Sequence, residues 1–312
     1  MRQRGCADTL TKRARSTLTT GVIAAVICLS PGSTAGGGAT FDRLPPHGGS
    51  DTLSQVVIPN TQRHVLESAI VDETFKLHVY LPRGYQEMAD PLPVVYLLDA
   101  EYSFGAVAYI IRRLIKDDLI PPVLLVGVAY EQPYEEYYAR RERDFTPTRA
   151  HLSDFPNAGF GEGFAQVIRE ELIPFVNGHY KVDPADKTIT GLSFSGLFST
   201  YLLFKEPDLF QRYVIVSPSL WWDSGILFRY EEDYRAGSDV LAARVFFGAG
   251  EQDGPNILSD LEHMEELLGR RRYQRLDYQV RLFPDETHRT ILPIAVSHGL
   301  RFVFLTDPGQ PE

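Results

Sequence analysis

A serine hydroxyl becomes a nucleophile only when a base takes its proton and a third group orients that base. Three stretches of this 312-residue chain supply those residue types in a suitable order. Residues 191–196 read Gly-Leu-Ser-Phe-Ser-Gly, entered by Thr188-Ile189-Thr190 and left by Leu197–Phe204, whose apolar spacing is helix-like. Strand, glycine-flanked turn and helix are the context of a nucleophile elbow, with Ser193 thrust out of a strained turn. Gly191 and Gly196 let that turn be tight. The first amides of the following helix then lie beside Ser193, where charge develops on an attacked carbonyl oxygen. Ser195 stands where this pattern usually has glycine.

The chain order serine, acid, histidine then predicts an acid and a histidine at later strand ends. After Val245-Phe246-Phe247 comes Gly248-Ala249-Gly250-Glu251-Gln252-Asp253-Gly254, a glycine-rich turn with two carboxylates. The glycine-x-x-acid spacing favours Asp253 as the triad acid, with Glu251 as the alternative. After Leu282-Phe283 comes Pro284-Asp285-Glu286-Thr287-His288-Arg289. Of the three histidines after Ser193, His263 and His298 fall inside helical patterns, and His288 alone sits in a loop after a strand. An oxyanion hole needs two amides: Phe194, next to the nucleophile, and one after Leu97-Leu98-Asp99, from Ala100 or Glu101. The pair Trp221-Trp222 follows a strand end and suits either an acyl pocket or core packing. No H-E-x-x-H zinc signature, phosphate loop or G-x-G-x-x-G after the first strand is present, so the reading calls for no metal and no cofactor.

The elements that position these residues alternate. Thr74–Leu81 alternates like a half-buried strand, while Pro93–Leu98 and Val123–Val128 are continuous apolar runs suited to strands covered on both faces. Further strands are expected at 188–190, 213–216, 245–247 and 278–283, with helices near 104–117, 163–177, 257–270 and 290–304. This spacing implies an α/β fold with a mainly parallel central sheet and helices on both faces. Residues 130–160 break the rhythm with Tyr130, Tyr134, Tyr137, Tyr138, Arg140, Arg141, Arg143 and Phe145 and no clean period. They read as a long loop at the edge where such sheets bind ligands, its aromatic and guanidinium groups suiting an anionic or aromatic partner, or else packing the loop down.

Arg2, Arg4, Lys12, Arg13 and Arg15 precede the apolar Val22–Leu29, and small residues follow to Gly38. That is the layout of a signal peptide over residues 1–38, and its apolar core is too short to span a bilayer. Residues 39–60, with Pro45-Pro46-His47-Gly48-Gly49-Ser50, read as a linker before one domain over 61–312. Both cysteines, Cys6 and Cys28, lie in the leader, so the remainder has no disulfide and no thiol nucleophile. The expected location is the periplasm. Net charge is −10 for the whole chain, and without the leader 26 basic face 40 acidic residues, near −14. Such a balance argues against a nucleic-acid partner.

Taken together, Val95–Asp99, Arg141-x-x-Asp144-Phe145-Thr146-Pro147, Gly191–Phe198, Ser217–Trp222 and Thr287-His288 resemble the Putative esterase family of the α/β-hydrolases. That family includes the esterase D type enzymes, the mycolyl transferases and the enterochelin esterases. The Arg-x-x-Asp-Phe-Thr-Pro and Ser-Pro-Ser-Leu-Trp-Trp segments most resemble its periplasmic trilactone-siderophore esterases. The resemblance implies an α/β-hydrolase fold and a serine esterase acting through an acyl-enzyme on ferric catecholate trilactones such as enterobactin. Arg141 would face the anionic ligand, with Tyr138, Trp221 and Trp222 beside it. A short-acyl carboxylesterase and a non-catalytic siderophore- or partner-binding protein are the other readings of the same residues.

Overall fold

The computed structural model describes residues 57–150 and 154–304. The signal-peptide reading for 1–38, most of the linker and the last eight residues lie outside the described residues. Eight strands form one sheet in the order β1-β2-β4-β3-β5-β6-β7-β8. The first two, β1 (Thr61–Ser68) and β2 (Glu73–Tyr80), pair antiparallel with each other, and β2 pairs antiparallel with β4 (Leu124–Ala129). All other pairings are parallel, through β3 (Leu92–Leu97), β5 (Val182–Leu192), β6 (Arg212–Val216), β7 (Val240–Gly250) and β8 (Gln274–Phe283).

The central strands are apolar on both faces because both faces are covered. Along β3, Val94 and Tyr96 join one buried cluster, while Val95 and Leu97 join the other. One face is closed by α1 (Ala100–Lys116) and α8 (Leu292–Phe304) through Val107, Ile111, Val296 and Leu300. The opposite face carries α5 (Phe194–Lys205) and α7 (Pro255–Arg271) through Leu197, Leu202, Leu261 and Leu268. None of the helices among the described residues is long and apolar enough to cross a membrane.

Three differences from the sequence reading bear on the site. Residues 130–160 are not a structureless loop: Tyr134–Phe145 form helix α2, with Tyr137, Arg141, Asp144 and Phe145 buried. Their spacing of four, three and one places them on one helical face, so the period exists but polar side chains carry it. The helix expected near 163–177 runs in three successive pieces: α3 (Gly161–Val167), a π-helical turn (Ile168–Leu172) and α4 (Ile173–His179). A further helix, α6 (Trp222–Gly237), follows β6; left-handed Asp223, Ser224 and Gly225 interrupt its start, which hides its period.

Candidate active site

Ser193 occupies the corner between β5 and α5 with φ 64° and ψ −116°, a region that a non-glycine residue holds only at a cost of about 1–3 kcal/mol. The corner is over-determined by its backbone. The Ser193 amide donates to the Val216 carbonyl at 3.0 Å, and its carbonyl accepts the amides of Leu197 at 2.8 Å and Ser219 at 3.2 Å. At Gly191 a β-carbon would come within 2.5 Å of the Ser195 backbone, so the entry to the turn requires glycine. The Ser193 hydroxyl lies 3.3 Å from that of Ser219.

The acid and the base are held by two loops tied to each other. The Glu251 amide donates to the Phe283 carbonyl at 2.9 Å and the Gln252 amide to the Glu286 carbonyl at 3.0 Å. At Gly250 a β-carbon would lie 2.1 Å from the Glu286 carbonyl oxygen, which explains the glycine before the acid turn. Within this frame Asp253 Oδ1 lies 2.7 Å from His288 Nδ1. Its other oxygen accepts the Ser217 hydroxyl at 2.6 Å and the Gly250 amide at 3.0 Å. Burial works against the charged carboxylate, but the hydrogen bonds from His288, Ser217 and Gly250 outweigh it and hold the group below its usual pKa. An ionised carboxylate only accepts, so Nδ1 carries a proton and Nε2 is the ring nitrogen left for exchange with a substrate or nucleophile. Of the two acids weighed in the sequence, it is Asp253 that meets His288; the Glu251 side chain is exposed.

Ser193 and His288 line one cleft of about 620 Å³, together with Leu98, Asp99, Tyr138 and Arg141. Asp99, at the left-handed start of α1 (φ 55°), gathers three side chains from α2 and α5 around its carboxylate. Arg141 Nε lies 2.9 Å from each oxygen, the Tyr137 hydroxyl donates to Oδ1 at 2.9 Å and the Ser195 hydroxyl to Oδ2 at 2.7 Å. Arg141 also donates to the Leu192 carbonyl at 3.1 Å and is 9% exposed. Its guanidinium sits 5.2 Å from the Phe194 ring centre and 5.9 Å from that of Tyr138. Arg141 therefore lines the cleft as expected, but its charge is engaged by Asp99 rather than left facing a ligand. Tyr138 lines the cleft and is half-exposed.

Two expectations need correction. Glu101 does not line the cleft with Leu98 and Asp99. Its carboxylate caps the end of β4 by accepting the amides of Tyr130 and Glu131. Trp222 is fully buried, donates to Thr148 and packs edge-on to Phe155 and Phe194 at 5.1 and 5.4 Å. It supports the cleft from behind. Trp221 is partly buried against the same two rings, at 6.4 and 6.2 Å, and does not line the cleft either. Phe194 holds its expected place as the first residue of α5.

Sequence reasoning missed Asp99, Ser217 and Ser219 as site residues. The Leu-Leu-Asp strand end and the two serines of Ser-Pro-Ser were signals of polar groups delivered to the same sheet edge. Chemically, the arrangement offers a serine at a strained corner, an imidazole lining the same cleft and a carboxylate bonded to its Nδ1, the groups that acyl transfer uses.

Residues 68–289 match the Putative esterase family. The chain is 30% identical over 273 residues to the ferri-bacillibactin esterase BesA of Bacillus subtilis, covering 82% of this chain and 93% of that protein. It is 27% identical to a siderophore triacetylfusarinine C esterase of Aspergillus fumigatus, covering 69% of this chain and 77% of the relative. Among solved structures, the BES protein from Bacillus cereus superposes with a TM-score of 0.73 at 24% identity, over 81% of this chain and 98% of the other. An IroE-like serine hydrolase from Shewanella oneidensis gives 0.71 at 25% identity, over 78% and 80% of the two chains. A strained serine corner on a mainly parallel sheet and the extent of these matches lead to one conclusion: the chain belongs to the Putative esterase family.

Proposed function

We propose that this protein is a serine ester hydrolase that opens the ester bonds of siderophores, with Ser193 as nucleophile, His288 as general base and then acid, and Asp253 orienting the imidazole. The observation that carries the reading is a strained Ser193 corner sharing one cleft with a histidine held at 2.7 Å by a buried carboxylate. In acylation, Ser193 Oγ attacks the ester carbonyl while its proton passes to His288 Nε2. The tetrahedral intermediate collapses, the C–O bond to the alcohol breaks, and the alcohol leaves with the proton from His288. Water then repeats the sequence on the acyl-enzyme and releases the acid. The oxyanion is assigned to the amides of Phe194 and Asp99, the latter because Asp99 borders the cleft where Glu101 does not.

Support for siderophores as substrates comes from the relatives named as ferri-bacillibactin and triacetylfusarinine C esterases. The cleft fits an aromatic ligand as well: rings of Tyr102, Tyr137, Tyr138 and Tyr134 follow one another at centroid distances of 5.4, 5.5 and 4.6 Å. The basic, apolar and small-residue order of residues 1–38 supports export to the periplasm.

The test is labelling with an organophosphonate, followed by turnover of p-nitrophenyl acetate and of a ferric catecholate trilactone. Labelling at Ser193 and trilactone opening are expected, both lost in Ser193→Ala. Absence of labelling refutes the hydrolase assignment, and turnover of the simple ester alone refutes the siderophore assignment. N-terminal sequencing of the protein from a periplasmic extract checks removal of the leader.

A further inference from the structure

The charges lining the cleft do not cancel. Asp99 and Arg141 neutralise each other through paired contacts at 2.9 Å. His288 is held by Asp253 behind it. Arg289 remains: it lines the cleft beside His288, is exposed, and its guanidinium makes no hydrogen bond, ion pair or ring contact among the described residues. A chain of net charge −10 thus presents an uncompensated cation next to its base. The tyrosines border the same cleft, and Tyr102, Tyr134 and Tyr138 are 70%, 61% and 45% exposed.

Large exposed aromatics and an unpaired guanidinium around one serine make a recognition surface for a particular chemistry. We propose that Arg289, and not Arg141, is the specificity-determining cation of this site, taking the negative charge of an aromatic ligand whose ring lies against the tyrosines. The proposal rests on the ester-hydrolase reading for what the ligand becomes, but not for how it is held. Its chemical class is an aryl ester or amide carrying a carboxylate or a metal-bound catecholate. Arg141 cannot serve equally, because releasing it for a ligand would leave the carboxylate of Asp99 without its counter-charge. Arg289 has no such partner to give up. Its planar, weakly hydrated head also suits an anion with two oxygens better than an ammonium would.

The experiment compares two probes of the same size, N-benzoylglycine (anionic) and N-benzoylglycinamide (neutral), binding to a Ser193→Ala background by calorimetry at low ionic strength. The background is expected to prefer the anion, and Arg289→Gln to lower the anion-to-neutral affinity ratio about tenfold, as for one charge pair partly in water. Arg289→Lys should keep part of the ratio, and added salt should erode it only where the cation is present. An unchanged ratio in Arg289→Gln, or an equal loss for both probes, overturns the proposal. So does a background with no preference for the anion. Failure of Ser193 to take an organophosphonate sinks the hydrolase reading instead and leaves this charge comparison standing.

Discussion

The Ser195 hydroxyl donates a 2.7 Å hydrogen bond to Asp99 Oδ2, joining the Ser193 corner to the loop that leaves β3. The same hydroxyl lies 2.9 Å from the Leu192 carbonyl and accepts the Leu192 amide at 2.9 Å. Ser195 is fully buried, so a glycine or alanine there cannot recruit bulk water in its place. The serine at the usual glycine position is therefore more than a tolerated methylene. It fixes the spacing between Ser193 and the neighbouring cleft wall. Ser195→Ala is expected to lower stability by about 1–2 kcal/mol, the scale of a buried hydroxyl whose partners are left short. For a domain of this size that is a melting shift of roughly 2–8 °C. The reaction should suffer in kcat more than in KM, because the wall that moves faces the developing charge. A Ser195→Gly protein with unchanged melting temperature and kcat contradicts this account.

Arg141 and Asp99 should behave as a pair. Removing one partner of a buried ion pair leaves a charge without compensation and typically costs about 3–5 kcal/mol, whereas removing both costs far less. Arg141→Met alone is expected to fall in that range. Adding Asp99→Asn should recover part of the loss, since the asparagine can still bond Tyr137 and Ser195. Chemical denaturation of the two single variants and the double variant gives the coupling directly. Additive losses would show that the pair is not the unit inferred from its geometry.

The parts of the site legible in the sequence were those whose backbone demands leave a residue signature. A β-carbon at Gly191 or Gly250 would overlap the backbone of Ser195 or Glu286, and these two glycines mark the corner and the acid turn. The parallel strands were legible as apolar runs because helices cover both faces. Helix α2 was not, because its buried stripe is Tyr137, Arg141, Asp144 and Phe145, half of it charged, and hydrophobic period alone cannot register it. The polar strand β1 was missed for a related reason: as an edge strand it buries only Leu66 and Ser68. Side-chain direction was beyond spacing altogether. Glu101 and Asp99 are two residues apart at a strand end, yet one carboxylate turns to β4 and the other into the cleft. Asp253 and Glu251 are likewise two residues apart, and only hydrogen bonding decides between them.

That decision has a kinetic consequence. Asp253→Asn presents an amide where His288 Nδ1 needs an acceptor, favouring the wrong imidazole tautomer. Ester hydrolysis should fall by about three to four orders of magnitude, the scale seen when a triad acid is neutralised without changing its shape. Glu251→Gln alters an exposed side chain whose backbone amide already serves Phe283, and its kcat/KM should stay within about threefold of the parent. Comparable losses in the two variants, measured with one simple ester, would reverse the assignment.

A carboxylate outside the cleft sets the acid response of the sheet edge. Glu131 accepts from Arg63 at 2.9 Å and lies 2.8 Å from His78 Nε2, bridging β1 and β2 beyond the end of β4. The hydrogen bond from Arg63 is the largest influence on its pKa; burial opposes it, but His78 and the Arg63 charge add to it, so the carboxyl is lowered from 4.5 to about 2. The sign follows from linkage: a group harder to protonate when folded stabilises the folded state while it is ionised. The stabilisation from Glu131 is thus full above 4.5, the value of the free side chain, and declines as pH falls toward about 2. Glu131→Gln removes the ionisable group, so the denaturant midpoint should lie below the parent's at pH 6, and the gap should narrow steadily through pH 4 and pH 3. Because other carboxylates titrate identically in both proteins, the difference isolates this one. A gap that stays constant over that window would mean that Glu131 contributes through packing rather than through its charge.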